Sequence, residues 1–120
     1  MMIRESGEMY LETILILRKK QEIVRAIDVA NERKFSKPSV SRAINVLKEK
    51  GLVIVEKNGN LLLTSEGEKL AKTIYERHKI ITRYLVGVLG VSQSTAEDDA
   101  CRIEHVISDE TITKIKELLK

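Results

Sequence analysis

The chain of 120 residues has no tryptophan, one cysteine, one proline and only 3% aromatic residues. Each scarcity excludes something. One cysteine cannot close an intramolecular disulfide, so Cys101 is expected to be a free thiol in a reducing compartment, able to ligate a metal. With so few aromatics, a core must be built from Leu, Ile and Val, as in a helix-rich protein. A single proline leaves the helices largely uninterrupted. No apolar run approaches the ~20 residues needed to cross a bilayer, and the N-terminus lacks a basic-then-apolar leader. The expectation is a cytoplasmic protein with no membrane partner.

At this length, and with 42% hydrophobic residues, the chain suits one compact domain or two small modules, which excludes a large multidomain enzyme. The net charge of +3 is unevenly placed. Residues 1–60 carry 12 Lys and Arg against 8 Asp and Glu, whereas residues 61–120 carry 9 against 10. The first half is therefore the half suited to a polyanion.

"GEMYLETILILRKK" spaces Met9, Leu11, Ile14, Leu15 and Leu17 as a helix, with Ser6 as its N-cap. In "VRAIDVANERKFSKPSVSRAINVLKEKGLV", Ile27, Val29 and Ala30 predict a short helix breaking near residues 34–37. Ser36 then caps a second helix over 36–50, with Pro38 in its first turn, where a missing N–H costs nothing. Val40, Ala43, Ile44 and Leu47 form its buried stripe, and Gly51 ends it. Two short helices joined by a tight turn make a helix-turn-helix. "LVIVEKNGNLLLT" follows as two β-rich runs around Asn58-Gly59, a type I′ hairpin signal, and a hairpin in that place is the wing of a winged helix.

Beyond the wing, Thr64 or Ser65 caps a long helix carrying Leu70, Ile74, Ile81, Leu85 and Leu89 and stopped by Gly90; Ser92 and Ser108 open two more, over 93–107 and 109–119. Once the stripe of the 36–50 helix faces inward, it presents Ser36, Lys37, Pro38, Ser39, Ser41, Arg42, Asn45 and Lys48. Hydroxyls and Lys suit phosphate, Arg suits guanine and Asn suits adenine in the major groove. Lys57 and Asn58 at the wing tip suit adjacent phosphates or the minor groove.

"EDDACRIEHVIS" holds the lone cysteine. At 100° per residue, Glu97, Cys101, Glu104 and His105 share a face, while Ala100, Ile103, Val106 and Ile107 form a separate apolar stripe. Taken singly, these four read as a small buried thiol and ordinary boundary residues; together, thiolate, carboxylate and imidazole are ligand types for a divalent transition metal.

"EMYLETI", "SKPSVSRAINVLKEKGLV", "LTSEGEKLA", "RH" at 77–78 and "DDACRIEHVIS" together resemble the iron- and manganese-dependent repressors of the diphtheria-toxin-repressor type, from about residue 5 onward. The resemblance implies a mainly α fold: a winged helix-turn-helix over 1–70, then a helical metal-binding and dimerisation domain over 71–120. It implies a homodimer that grips a palindromic double-stranded operator when loaded with metal and controls metal homeostasis genes. Carried over by residue, it makes Met9, Cys101, Glu104 and His105 the primary metal site, with Glu12, His78 and Glu97 as ancillary ligands. The chain departs from iron-type members at Thr82, where they have a glutamate, and is expected to do without the third, SH3-like domain that many of them use. Manganese-type members are short and have a glutamate at the position of Glu12, but carboxylates at those of Met9 and Cys101. Sulfur donors disfavour Mn²⁺, so Fe²⁺ is the expected effector and Mn²⁺ the second, with Co²⁺, Ni²⁺ and Zn²⁺ able to bind in vitro.

Two other functions compete. A winged-helix redox sensor would need Cys101 as an accessible thiolate, which the negative charges of Glu97, Asp98 and Asp99 oppose. A small metallohydrolase would use Cys101, His105 and a second histidine on zinc with Glu104 as base, but little chain is left for a substrate cleft. The chain is accordingly read as a regulator and not an enzyme.

Overall fold

The structure, a computed structural model, describes residues 5–119; the side chains of Glu5 and Ser6 fall outside that description. The elements in order are α1 (Glu5–Lys20), α2 (Ala26–Arg33), α3 (Lys37–Glu49), β1 (Val53–Val55), β2 (Leu61–Leu63), α4 (Ser65–Gly87), α5 (Gln93–Ile103) and α6 (Asp109–Leu118). They form two compact units, one up to Lys72 and one from Thr73, the boundary falling inside α4. Among the described residues, no helix is long and apolar enough to cross a membrane.

In the first unit, α1 buries Tyr10, Leu11, Ile14, Leu15 and Leu17. The expected Ser6 cap lies inside this helix, and its side chain is outside the described residues. Within α2, Val29 and Ala30 are buried while Ile27 is exposed, so the apolar stripe is narrower than its sequence suggests. Lys34 closes α2 in the left-handed conformation (φ 57°), its N–H on the carbonyl of Ala30. Ser36 caps α3 by accepting from the Ser39 N–H at 3.3 Å. Val40, Ile44 and Leu47 are buried along that helix, and Gly51 (φ +74°) turns the chain into β1.

The wing is a two-stranded antiparallel ladder pairing Val53 with Leu63, Ile54 with Leu62 and Val55 with Leu61. Its turn corrects the type I′ expectation. That type needs positive φ at both central residues, yet Lys34 is the only non-glycine with positive φ among the described residues. Instead, the Gly59 N–H reaches the Glu56 carbonyl at 2.8 Å, which makes Lys57 and Asn58 the central pair and leaves Gly59 (φ +89°) in the left-handed third position. The side chain of Asn58 accepts from the Asn60 N–H at 3.0 Å, and its carbonyl accepts from Arg25 Nε at 2.8 Å, both fixing this alternative.

In the second unit, Ile81 and Leu85 of α4 pack on Ala96 and Ala100 of α5, with Tyr84, Val86, Val91, Ile103, Ile107 and Ile112 around them. Small alanines let the helices approach closely. Two expectations need correction. The α4 helix stops at Gly87 rather than Gly90, leaving Leu89 exposed beyond it. The α5 helix stops at Ile103 rather than near residue 107, because the N–H groups of Val106 and Ile107 both turn back to the Ile103 carbonyl. Val106 is consequently exposed and not part of the stripe.

Candidate metal centre and nucleic-acid interface

Glu104 is the first residue past α5, with helical dihedrals (φ −58°, ψ −25°) and its N–H on the Ala100 carbonyl. Its side chain is 0% exposed. A carboxylate stripped of water is costly unless something compensates its charge. Here an imidazole stands at each oxygen: His78 Nδ1, from α4, lies 3.2 Å from Oε2, and His105 Nε2 lies 3.2 Å from Oε1. The side chain of His105 is itself only 3% exposed. Half-buried Cys101 lies three residues earlier on α5.

These residues fit a divalent metal. Donors bound to one ion at 2.0–2.2 Å, with angles near those of an octahedron or tetrahedron, lie roughly 2.9–3.5 Å apart. Both nitrogen-to-oxygen distances fall in that range. Carboxylate oxygen, imidazole nitrogen and thiolate together suit Fe²⁺, Co²⁺ and Zn²⁺ better than a hard ion such as Mg²⁺.

The other residues of the expected site are placed as follows. Met9 is half-buried on α1, its carbonyl accepting from the Thr13 hydroxyl at 2.8 Å. Glu12 is buried on the same helix, 3.8 Å from the Arg33 guanidinium. Glu97 stands exposed and accepts from Gln93 Nε2 at 2.9 Å, one turn earlier in its own helix. The Thr82 hydroxyl donates to the His78 carbonyl at 2.8 Å, one turn earlier in its own helix. Within the second unit the structure therefore brings His78, Glu104 and His105 together and leaves Glu97 at the surface.

In the first unit, α3 exposes Lys37, Pro38, Ser41, Arg42, Asn45 and Lys48. Arg42 Nη2 lies 3.5 Å from the Ser39 hydroxyl, and Ser36 Oγ donates to Ser39 Oγ at 2.7 Å, which orients the N-terminal end of this face. Exposed Ile27 lines an open hollow with Ala26, Lys37 and Ser41 at the α2–α3 turn. Lys57 and Asn58 are exposed at the wing tip.

Sequence reasoning missed what holds the wing. Buried Asn60 accepts from the Val24 N–H at 2.9 Å and from Arg18 Nη1 at 3.3 Å, and donates to Glu56 Oε1 at 2.8 Å. Arg18 also donates to the Leu61 carbonyl at 3.0 Å. The one signal that could have found this hub is a polar Asn at the mouth of an apolar strand.

Comparison with known proteins joins the two halves. The model of the iron-dependent repressor N-terminal DNA-binding domain matches residues 2–61, and that of the iron-dependent repressor metal-binding and dimerisation domain matches residues 64–120. The chain belongs to the iron-dependent repressor family. It is 32% identical to the diphtheria toxin repressor of Corynebacterium diphtheriae over 116 residues, 97% of this chain and 51% of that protein. It is 38% identical to the transcriptional regulator MntR of Escherichia coli O6:H1 over 109 residues, 91% of this chain and 70% of that one. A solved structure described as a manganese-dependent transcriptional repressor complex with manganese superposes with a TM-score of 0.87 at 29% identity, covering 94% of this chain and 52% of the other. The chain thus spans about half the length of the diphtheria toxin repressors it matches. A winged helix with a small two-stranded wing, followed by a helical unit, is the fold that this chain shares with that solved structure.

Proposed function

We propose that this member of the family is a cytoplasmic, metal-dependent transcriptional repressor that binds a palindromic double-stranded operator as a homodimer. The observation that carries the reading is the fully buried Glu104 carboxylate with an imidazole at 3.2 Å from each oxygen, in a chain whose other unit is a winged helix with a basic outer face. Glu104 and His105 are proposed as ligands with Cys101 and, from α1, Met9. His78 is the ancillary donor that the geometry supports best, with Glu12 beside it in the proposal. Glu97 is the weakest member, because it is exposed and hydrogen-bonded to Gln93.

Fe²⁺ is the proposed effector, with Mn²⁺ second, because two sulfur donors in the set select against an ion that prefers oxygen. Bound metal needs to favour the DNA-competent dimer by only about 1–3 kcal/mol to change operator affinity 5- to 150-fold. On the DNA side, Arg42 and Asn45 are proposed to meet base edges. Ser36, Lys37, Pro38, Ser39, Ser41 and Lys48 line the backbone, with Lys57 and Asn58 on the wing beside them.

The test starts from duplexes selected out of a random pool by the metal-loaded protein under anaerobic conditions, with binding followed by fluorescence anisotropy. Chelation should abolish binding by the wild type. His105→Ala should bind weakly with or without metal while keeping its helical circular dichroism, since the ligand face is separate from the apolar stripe of Ala96 and Ala100. Metal-dependent binding that survives in His105→Ala would refute the site assignment, and failure to enrich any duplex would refute the function.

A further inference from the structure

We infer that Arg77 is a positioning residue for the metal centre, one that clamps the turn carrying Glu104 and His105 onto α4. Its Nη1 donates to the Glu104 carbonyl at 3.4 Å, and its Nη2 is bonded to the Asp109 carboxylate at the start of α6. Arg77 immediately precedes His78 on α4. Adjacent helical residues point about 100° apart, so consecutive side chains of one helix take hold of Glu104 twice: His78 at its carboxylate, Arg77 at its backbone.

Glu104 is where such a hold is needed. It is the first residue past α5, its own N–H on the Ala100 carbonyl, and a little further on the N–H groups of Val106 and Ile107 both go back to Ile103. The regular helix therefore ends at the residue whose side chain has to be placed most accurately. The guanidinium fork supplies the missing restraint by joining α4, the 104–107 turn and the first residue of α6. A lysine carries the same charge but only a single nitrogen, and cannot serve both acceptors in that fixed geometry. The Asp109 side chain is 86% exposed, so the ion pair alone contributes little to holding the fold together. Its effect is instead expected where fractions of an ångström matter, at the donors. Outer groups that orient metal ligands commonly change metal affinity by about 10- to 100-fold when removed.

The inference rests on the metal reading above, and the experiment separates the two. Anaerobic Co²⁺ titrations of the full chain, read by ligand-field and thiolate charge-transfer absorption, would compare wild type, Arg77→Met, Arg77→Lys and Asp109→Asn, alongside thermal melts of each metal-free protein. We expect Arg77→Met to bind Co²⁺ about tenfold more weakly, with displaced ligand-field bands and a metal-free melting temperature within a few degrees of wild type. Arg77→Lys should recover only part of the affinity, and Asp109→Asn should show a smaller loss in the same direction. Unchanged affinity and bands in Arg77→Met, beside a wild type that binds, would overturn the clamp alone. Should Arg77→Met fail to fold, unchanged affinity and bands in Asp109→Asn and Arg77→Lys would overturn it equally. A wild type without saturable Co²⁺ absorption would overturn the metal reading and the clamp with it.

Discussion

Replacing Gly67 by alanine gives a prediction whose sign separates two lines of reasoning. Gly67 lies in the first turn of α4, where an ordinary Gly→Ala change gains about 0.5–1 kcal/mol of helix propensity. At this position, however, an added Cβ would stand 2.0 Å from the carbonyl oxygen of Leu52 and 2.9 Å from its carbon. The neighbour is backbone, and it must withdraw by about 1.4 Å to reach ordinary contact. That carbonyl also accepts from the Thr64 N–H at 3.1 Å, and Thr64 Oγ1 both caps the Gly67 N–H at 3.0 Å and donates to the Gly51 carbonyl at 2.7 Å. Overpacking costs about 1–3 kcal/mol and a strained backbone hydrogen bond about 1 kcal/mol more. After the propensity gain is subtracted, the expected loss is about 2 kcal/mol, or roughly 8–16 °C in the melting temperature of a domain this small. Thermal unfolding followed by circular dichroism at 222 nm reads it directly. A melting temperature equal to or above wild type would refute the close approach of α4 to Leu52.

Asn60→Leu should cost about 2–3 kcal/mol in urea-denaturation midpoint, because it strands the buried Val24 N–H and removes the acceptor held by Arg18; a change below 0.5 kcal/mol would mean the hub is ornamental. Arg42→Ala should weaken binding to the selected duplex by about 1–3 kcal/mol and relax the preference at one base pair, whereas an equal loss on every sequence would assign Arg42 to phosphate.

Local rules carried the helix-turn-helix well. Ser36, Pro38, the Val40–Ile44–Leu47 stripe and Gly51 each act within a few residues of themselves, and each does what its chemistry suggests. The same kind of rule misjudged ends. Leu89 and Val106 continue an apolar period but lie past the ends of their helices at Gly87 and Ile103, so periodicity extended α4 and α5 by a turn too many. The wing turn was misread because its geometry answers to Arg25, 33 residues from Asn58. The candidate metal centre was half legible. Cys101, Glu104 and His105 advertise themselves by spacing, but His78 reaches Glu104 from 26 residues away and Arg77 reaches Asp109 from 32, across separations on which a helical wheel is silent. Glu97 has the right spacing yet faces water, since sharing a face of a helix does not determine how much of that face is covered.

The wing is pinned at both ends: Asn60 and Arg18 hold its base to α1 and to Val24, and Arg25 holds its tip by the Asn58 carbonyl. Each of these bonds resists a flexing of the finger toward a groove. Under the proposed function it would act as a gauge set at one offset from α3, and a duplex that met both would have to adapt its own groove width to that offset. The energy of that adaptation depends on the stiffness of the base steps being deformed. Part of the operator's sequence preference would then reside in base pairs that no side chain touches, at positions between the footprint of α3 and that of Lys57.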